Sequence, residues 1–120
     1  MRIIAIVLVC LGALALTAAY PGGPLESNPL RDQGKSLIAA NGCGTCHSIP
    51  GIEGATGLVG PPLDNIGRRI FLAGILRNTP ENMASWIQHP QAYVPGNAMP
   101  EMGLTRDQAR AITGYLQTLR

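Results

Sequence analysis

The chain has 120 residues, with nine basic and seven acidic side chains and a formal net charge of +2. That length holds one small domain, and the near-neutral balance gives no electrostatic support for nucleic-acid binding. Aromatic residues are few (one Trp, one Phe and three Tyr), so the domain buries only a modest core of its own and something else must fill its middle.

Residues 3–19 are almost all apolar and follow Arg2. This is a charged start with an apolar run, the pattern of a signal peptide or an N-terminal membrane anchor over 1–20. Thr17-Ala18-Ala19 before Tyr20 is an acceptable cleavage site, and the run also approaches the roughly 20 residues that span a bilayer. Arg2 predicts a cytoplasmic N-terminus for a retained anchor. Cys10 does not suit a lipid anchor, because bulky Leu8 and Val9 precede it and the apolar run continues. Residues 21–28 read as a flexible linker rich in Pro and Gly, and 29–120 as the folded domain.

A first helix is expected with Asn28 as N-cap and Pro29 at its first position. Leu30, Gly34, Leu37, Ile38 and Asn41 share one face, and Gly42 ends it in a left-handed turn. Gly34 permits a close helix crossing, with Gly34 and Ile38 against Ile112 and Tyr115. Directly after comes Cys43-Gly44-Thr45-Cys46-His47. This is C-x-x-C-H, the attachment signature of a covalent c-type haem. Each thiol can form a thioether with a haem vinyl group, and the next histidine can ligate the iron. A thioredoxin-like dithiol would need a βαβ context. A zinc site would need two further ligands, and only Cys10 and His89 remain.

Residues 48–60 show no usable periodicity and read as a loop. Ile70, Phe71, Ala73 and Leu76 suggest a short helical segment over 68–76. Thr79-Pro80-Glu81 starts another helix, with Met83, Trp86 and Ile87 on its face and Pro90 as its stop. His89 reads as a surface residue at that helix end. Thr105 and Gln108 form a capping box for the last helix, whose inward stripe is Ala109, Ile112, Tyr115, Leu116 and Leu119. No segment alternates with period two, so the expected class is all-α.

The order of helix, C-x-x-C-H, Gly60-Pro61-Pro62-Leu63, a helix bearing Trp86, Pro95-Gly96-Asn97-Ala98-Met99-Pro100 and a terminal helix with Tyr115-Leu116 resembles class I cytochrome c. It is similar to the haem-c domain fused to subunit II of some bacterial cytochrome oxidases. The resemblance implies about four to five helices wrapped around one covalent haem, with the terminal helices crossing. It implies haem c bound through Cys43 and Cys46, with His47 and Met99 as iron ligands; Met102 and Met83 share the chemistry of Met99 but lack its flanking prolines. It further implies that Pro61 accepts a hydrogen bond from the His47 Nδ1–H. Leu63 contacts the cofactor, Trp86 stands beside the methionine sulfur, and Arg69 pairs with a haem propionate, while Arg68 is solvated.

These readings make the chain a one-electron carrier of a respiratory or periplasmic chain, not an enzyme. Two alternatives are a haem subunit permanently bound in a larger respiratory complex, and a haem enzyme or gas sensor with an open distal site. The expected partners are redox proteins: a donor dehydrogenase or cytochrome complex and an acceptor such as a terminal oxidase, with a possible membrane tether through residues 3–19. The expected place is the periplasmic side of the bacterial cytoplasmic membrane, soluble or N-terminally anchored. Ser48–Ile52 and Ala98–Met102 are expected to form an apolar docking surface.

Overall fold

The computed structural model describes residues 28–120. The expected leader, Cys10 and all but the last residue of the linker lie outside the described residues. Among the described residues, no helix is long and apolar enough to cross a membrane. The order of elements is helix α1 (Pro29–Ala40), a 3₁₀ turn (Cys43–Thr45), a second 3₁₀ turn (Ile66–Arg68), strands β1 (Phe71–Leu72) and β2 (Leu76–Arg77), then helices α2 (Pro80–Gln88), α3 (Pro90–Tyr93) and α4 (Arg106–Leu116).

Local chemistry fixes the helix ends. Asn28 Oδ1 accepts from the N–H groups of Leu30 (3.1 Å) and Arg31 (3.3 Å), satisfying donors that a first turn leaves orphaned. Thr79 Oγ1 accepts from Asn82 N–H at 3.2 Å and starts α2. At α4, Thr105 Oγ1 takes the Gln108 N–H (3.2 Å) and Gln108 Oε1 takes the Thr105 N–H (2.9 Å). This is the reciprocal box read from the sequence. Pro90 ends α2 as expected, and it also opens α3, which the sequence reading did not foresee.

The terminal helices cross at Gly34. A Cβ on Gly34 would lie 1.9 Å from the Ala111 carbonyl oxygen, so the two backbones touch. Ile38, Ala109, Ala111, Ile112 and Leu116 are buried around this contact. Ile112 is part of the crossing as expected, but the backbone of Ala111 is its centre. Helix α2 packs on the same helix α4 and buries Met83, Ala84 and Ile87.

The segment 68–76 is not helical. β1 and β2 pair antiparallel as a two-stranded hairpin, with Leu72 opposite Leu76 and Phe71 opposite Arg77. Ala73 (φ 48°) and Gly74 (φ 74°) both occupy the left-handed region, and Ile75 N–H returns to the Leu72 carbonyl at 3.0 Å. Two successive positive φ values make a type I′ turn, which matches strand twist and cannot continue a helix. The apolar cluster seen there is not one buried face. Leu72 is buried, while Ile70 is 66% and Phe71 49% exposed. Asn78 then closes the hairpin, its Nδ2 donating to the carbonyls of Ile66 and Arg69, both at 2.8 Å.

Tyr115 ties α4 to the long loop, its hydroxyl donating to the Pro50 carbonyl at 2.7 Å. Burial pushes this hydroxyl above its ordinary value, with nearby Arg31 pulling the other way.

Two glycines on the helices should respond oppositely to alanine. Gly34→Ala is expected to lower the stability of the holoprotein by about 1–3 kcal/mol or more, because the added carbon meets backbone. Gly114→Ala meets only the Leu30 side chain, at 3.6 Å, and should gain about 0.5–1 kcal/mol of helix propensity. Chemical denaturation of both variants reads the two signs.

Tyr115→Phe should cost about 0.5–1.5 kcal/mol at neutral pH. The raised folded value means that the tyrosine's contribution is complete below pH about 10 and is lost as pH rises through the folded value above it. The stability gap between wild type and Tyr115→Phe should therefore shrink in alkaline denaturation series.

Candidate functional site

Helix α1 ends where the cysteine motif begins. Asn41 caps it, its Nδ2 donating to the Leu37 carbonyl at 2.8 Å. Gly42 then turns the chain at φ 67°. That left-handed step reverses direction without a steric penalty. The next turn is tight: Cys46 N–H and His47 N–H both return to the Cys43 carbonyl, at 3.3 and 3.0 Å. Both cysteines are free and half-buried. Burial pushes the Cys43 thiol up, eased by its own backbone hydrogen bond and reinforced by Cys46. The motif thus presents two thiols and one imidazole from a single turn.

The aperiodic loop wraps this turn. Gly57 N–H donates to the Gly44 carbonyl (3.0 Å), Gly60 N–H to Cys46 (2.8 Å) and Leu63 N–H to Ser48 (2.8 Å). The His47 ring lies directly against Gly60, where a Cβ would come 2.3 Å from Cε1. His47 Nδ1 lies 2.8 Å from the Pro61 carbonyl oxygen. A carbonyl can only accept, so Nδ1 carries the proton and Nε2 keeps its lone pair free for a metal.

These groups open on a cavity of about 530 Å³ whose walls are mainly apolar. Ile38, Ile112 and Leu116 form part of its wall, with Cys43, Cys46 and His47 beside them. Every site residue expected from the sequence lines it: Pro61, Leu63, Arg69, Trp86 and Met99 join the motif. The Arg69 guanidinium donates to the Pro62 carbonyl and, at 3.4 Å, to that of Asp64; Arg68 is exposed. Trp86 is half-buried and sits 6.3 Å from Tyr93, centre to centre. Met83 and Met102 also reach the wall. Met83 is buried in the core, and its sulfur lies 3.9 Å from Gln117 Nε2. His89 is exposed and lies 3.4 Å from Glu101.

Among the described residues, no cluster of three or more His, Cys, Asp or Glu could hold a metal ion by itself, so the zinc alternative finds no support there. The expected docking surface needs correction at two residues, while its Pro50, Gly51, Ala98 and Pro100 are exposed as expected. Ile49 is buried and Ile52 half-buried, because the loop folds them inward. Among the described residues, the large exposed apolar side chains are Leu30 on α1 and, beyond the cysteine motif, Leu58 (89% exposed), Val59, Ile70, Phe71 and Ile75. The sequence reading also missed the side-chain amides of Gln91 and Asn97 near Met99. Their only signal was a Pro-Gly-Asn turn composition.

Residues 32–120 match the family model described as Cytochrome c. The chain belongs to the cytochrome c family. It is 35% identical over 92 residues to "Cytochrome c oxidase subunit 2" of Alkalihalophilus pseudofirmus, covering 76% of this chain and 26% of that protein. Proteins of the same name from Bacillus sp. PS3 (31% over 101 residues, 81% and 28%) and Bacillus subtilis (30% over 95 residues, 76% and 27%) are also similar. The chain therefore spans about a quarter of the length of these curated relatives.

A cytochrome c domain transfers electrons through a covalently held haem, and the residues of this one fit that group. Two thiols at C-x-x-C spacing share a turn, an imidazole keeps Nε2 free, and the adjoining walls are apolar. The glycine against His47 leaves the ring only its own thickness. Gly60→Ala should therefore displace the imidazole from the Pro61 carbonyl. The expected result is a holoprotein with a disturbed Soret spectrum and increased affinity for added imidazole, read by absorbance titration. Gly54→Ala, with nothing within 4 Å of the added carbon, is the comparison for loop strain alone.

Proposed function

We propose that this cytochrome c domain is a one-electron carrier rather than an enzyme. Its haem is attached through Cys43 and Cys46, and His47 and Met99 are the iron ligands. The observation that carries this reading is the His47–Pro61 contact on the C-x-x-C turn, with Met99 on the wall of the same cavity. Haem, when bound, supplies the reversible ferric–ferrous couple. His47 holds its proton on Nδ1 and offers Nε2. Met99 offers a thioether, which with histidine favours the reduced iron and raises the potential. Arg69 sets a guanidinium on the cavity wall, where it suits a propionate carboxylate. The apolar walls exclude water from the metal's surroundings.

The leader expected over 1–20 supports placement on the periplasmic side of the membrane, either released or tethered. The partners are redox proteins, with a terminal oxidase as acceptor. Exposed Val59 and Phe71 stand at the cavity wall and offer such partners an apolar contact close to the haem. A second reading has its own support. The relatives that share this domain are named as oxidase subunits and are about three times as long as this chain, which favours a haem subunit held permanently in a larger complex. Size-exclusion chromatography of gently solubilised membranes separates the two: a carrier elutes alone, a subunit with its complex.

Spectra test the ligands. The oxidised holoprotein should show a weak sulfur-to-iron band near the red end, and the reduced protein should bind carbon monoxide poorly. Met99→Ala should abolish the band and admit carbon monoxide, while Met102→Ala should leave both unchanged. Loss of the band in Met102→Ala but not in Met99→Ala would reassign the ligand, and ready carbon monoxide binding by the wild type would favour an open-site haem protein.

A further inference from the structure

The segment that carries Met99 has little packing of its own. Pro95, Gly96, Ala98 and Pro100 are exposed, and no helix or strand covers 94–105. Two side-chain amides supply what packing does not. Gln91 Nε2 donates to the carbonyl oxygens of Asn97 (2.9 Å) and Met99 (2.7 Å), and its Oε1 accepts from Gly96 N–H (2.9 Å). Asn97 Nδ2 donates to the carbonyls of Pro90 (3.1 Å) and Val94 (2.7 Å), and its Oδ1 accepts from Met99 N–H (2.7 Å). Gln91 N–H in turn donates to Glu101 Oε1 at 3.3 Å, beyond the methionine. Both main-chain polar groups of Met99 therefore end on these amides, the N–H on Asn97 and the carbonyl on Gln91. Each hydrogen bond alone is modest, but linked bonds in a partly buried place reinforce one another.

We propose that Gln91 and Asn97 are positioning residues for the Met99 thioether. The clasp fixes the backbone at Met99, so the protein presents the sulfur instead of leaving the iron to capture it from a mobile loop. It thereby sets how easily an incoming ligand displaces Met99. The inference rests on Met99 being the iron ligand.

The test uses the oxidised holoprotein and imidazole as the competing ligand. Gln91→Glu keeps the volume and the acceptor for Gly96 but loses both donors. Asn97→Ser shortens the other arm and serves as the second variant if Gln91→Glu does not mature. Gln88→Leu is the control for stability alone, since Gln88 Nε2 donates to the Leu104 carbonyl at 3.0 Å and not to Met99 or its neighbours on either side. Imidazole should bind Gln91→Glu, or Asn97→Ser in its place, at least fivefold more tightly than wild type, with a weakened sulfur-to-iron band. Gln88→Leu should lower the melting temperature and leave imidazole affinity within twofold of wild type. An increase below fivefold overturns the proposal, as does an equal increase in Gln88→Leu. Met99→Ala separates this from failure of the ligand assignment: a wild type that binds imidazole as tightly as Met99→Ala has no methionine to displace.

Discussion

The approach of α1 to α4 governs the whole domain. Their backbones meet because residue 34 has no side chain and faces the Ala111 carbonyl. Much of the cavity wall is referred to that contact. Helix α1 carries the cysteine turn at its C-terminal end, and α4 supplies Ile112 and Leu116 to the cavity wall. Helix α2, which brings Met83 and Trp86, is packed on α4 in turn. A small domain has few apolar side chains to spend on fixing helix angles. Direct backbone contact fixes one angle with a single glycine and spares the larger residues for the cavity.

Much of this was legible in the residues, for identifiable reasons. Helix starts are governed by local chemistry, and Asn28, Thr79 and Thr105 all cap as their types dictate. The C-x-x-C-H turn is also local, so its spacing carried the site. The hairpin failed because its turn uses Ala73 with Gly74, not the Asn-Gly or Asp-Gly pair that announces a type I′ turn. Alanine at φ 48° is a choice that local preference argues against, and the Ile75 N–H bond to the Leu72 carbonyl closes the turn around it. The inward turn of Ile49 and Ile52, two residues of the expected docking surface, has a different reason. Hydrophobic residues in an aperiodic loop face either way, and only the wrap of the loop buries Ile49 while exposing Leu58.

The polar side chains were the least legible part. Asn78, Gln91, Asn97 and Gln117 sit on no apolar stripe, yet each bridges separate parts of the chain. Gln117 Nε2 reaches Asn78 Oδ1 at 3.0 Å and so joins the end of α4 to the hairpin. Amides suit this task because one group both donates and accepts. In a chain with so few aromatic residues, they supply cross-links that a larger core would provide by volume.

The loop between the cysteine motif and the hairpin is fastened at both ends to the C-terminal part of the chain. Tyr115 holds the Pro50 carbonyl at one end, and Gly67 N–H donates to the Leu119 carbonyl at 2.9 Å at the other. Local opening in proteins proceeds in contiguous cooperative units. Here α4 and this loop belong to one such unit despite their distance in sequence. Detaching the last helix frees α1, the loop and the cavity wall together, so amide protons of Ile49, Gly60 and Ala109 should exchange through a shared opening, and the haem crevice should lose its closure in one step instead of fraying from an edge.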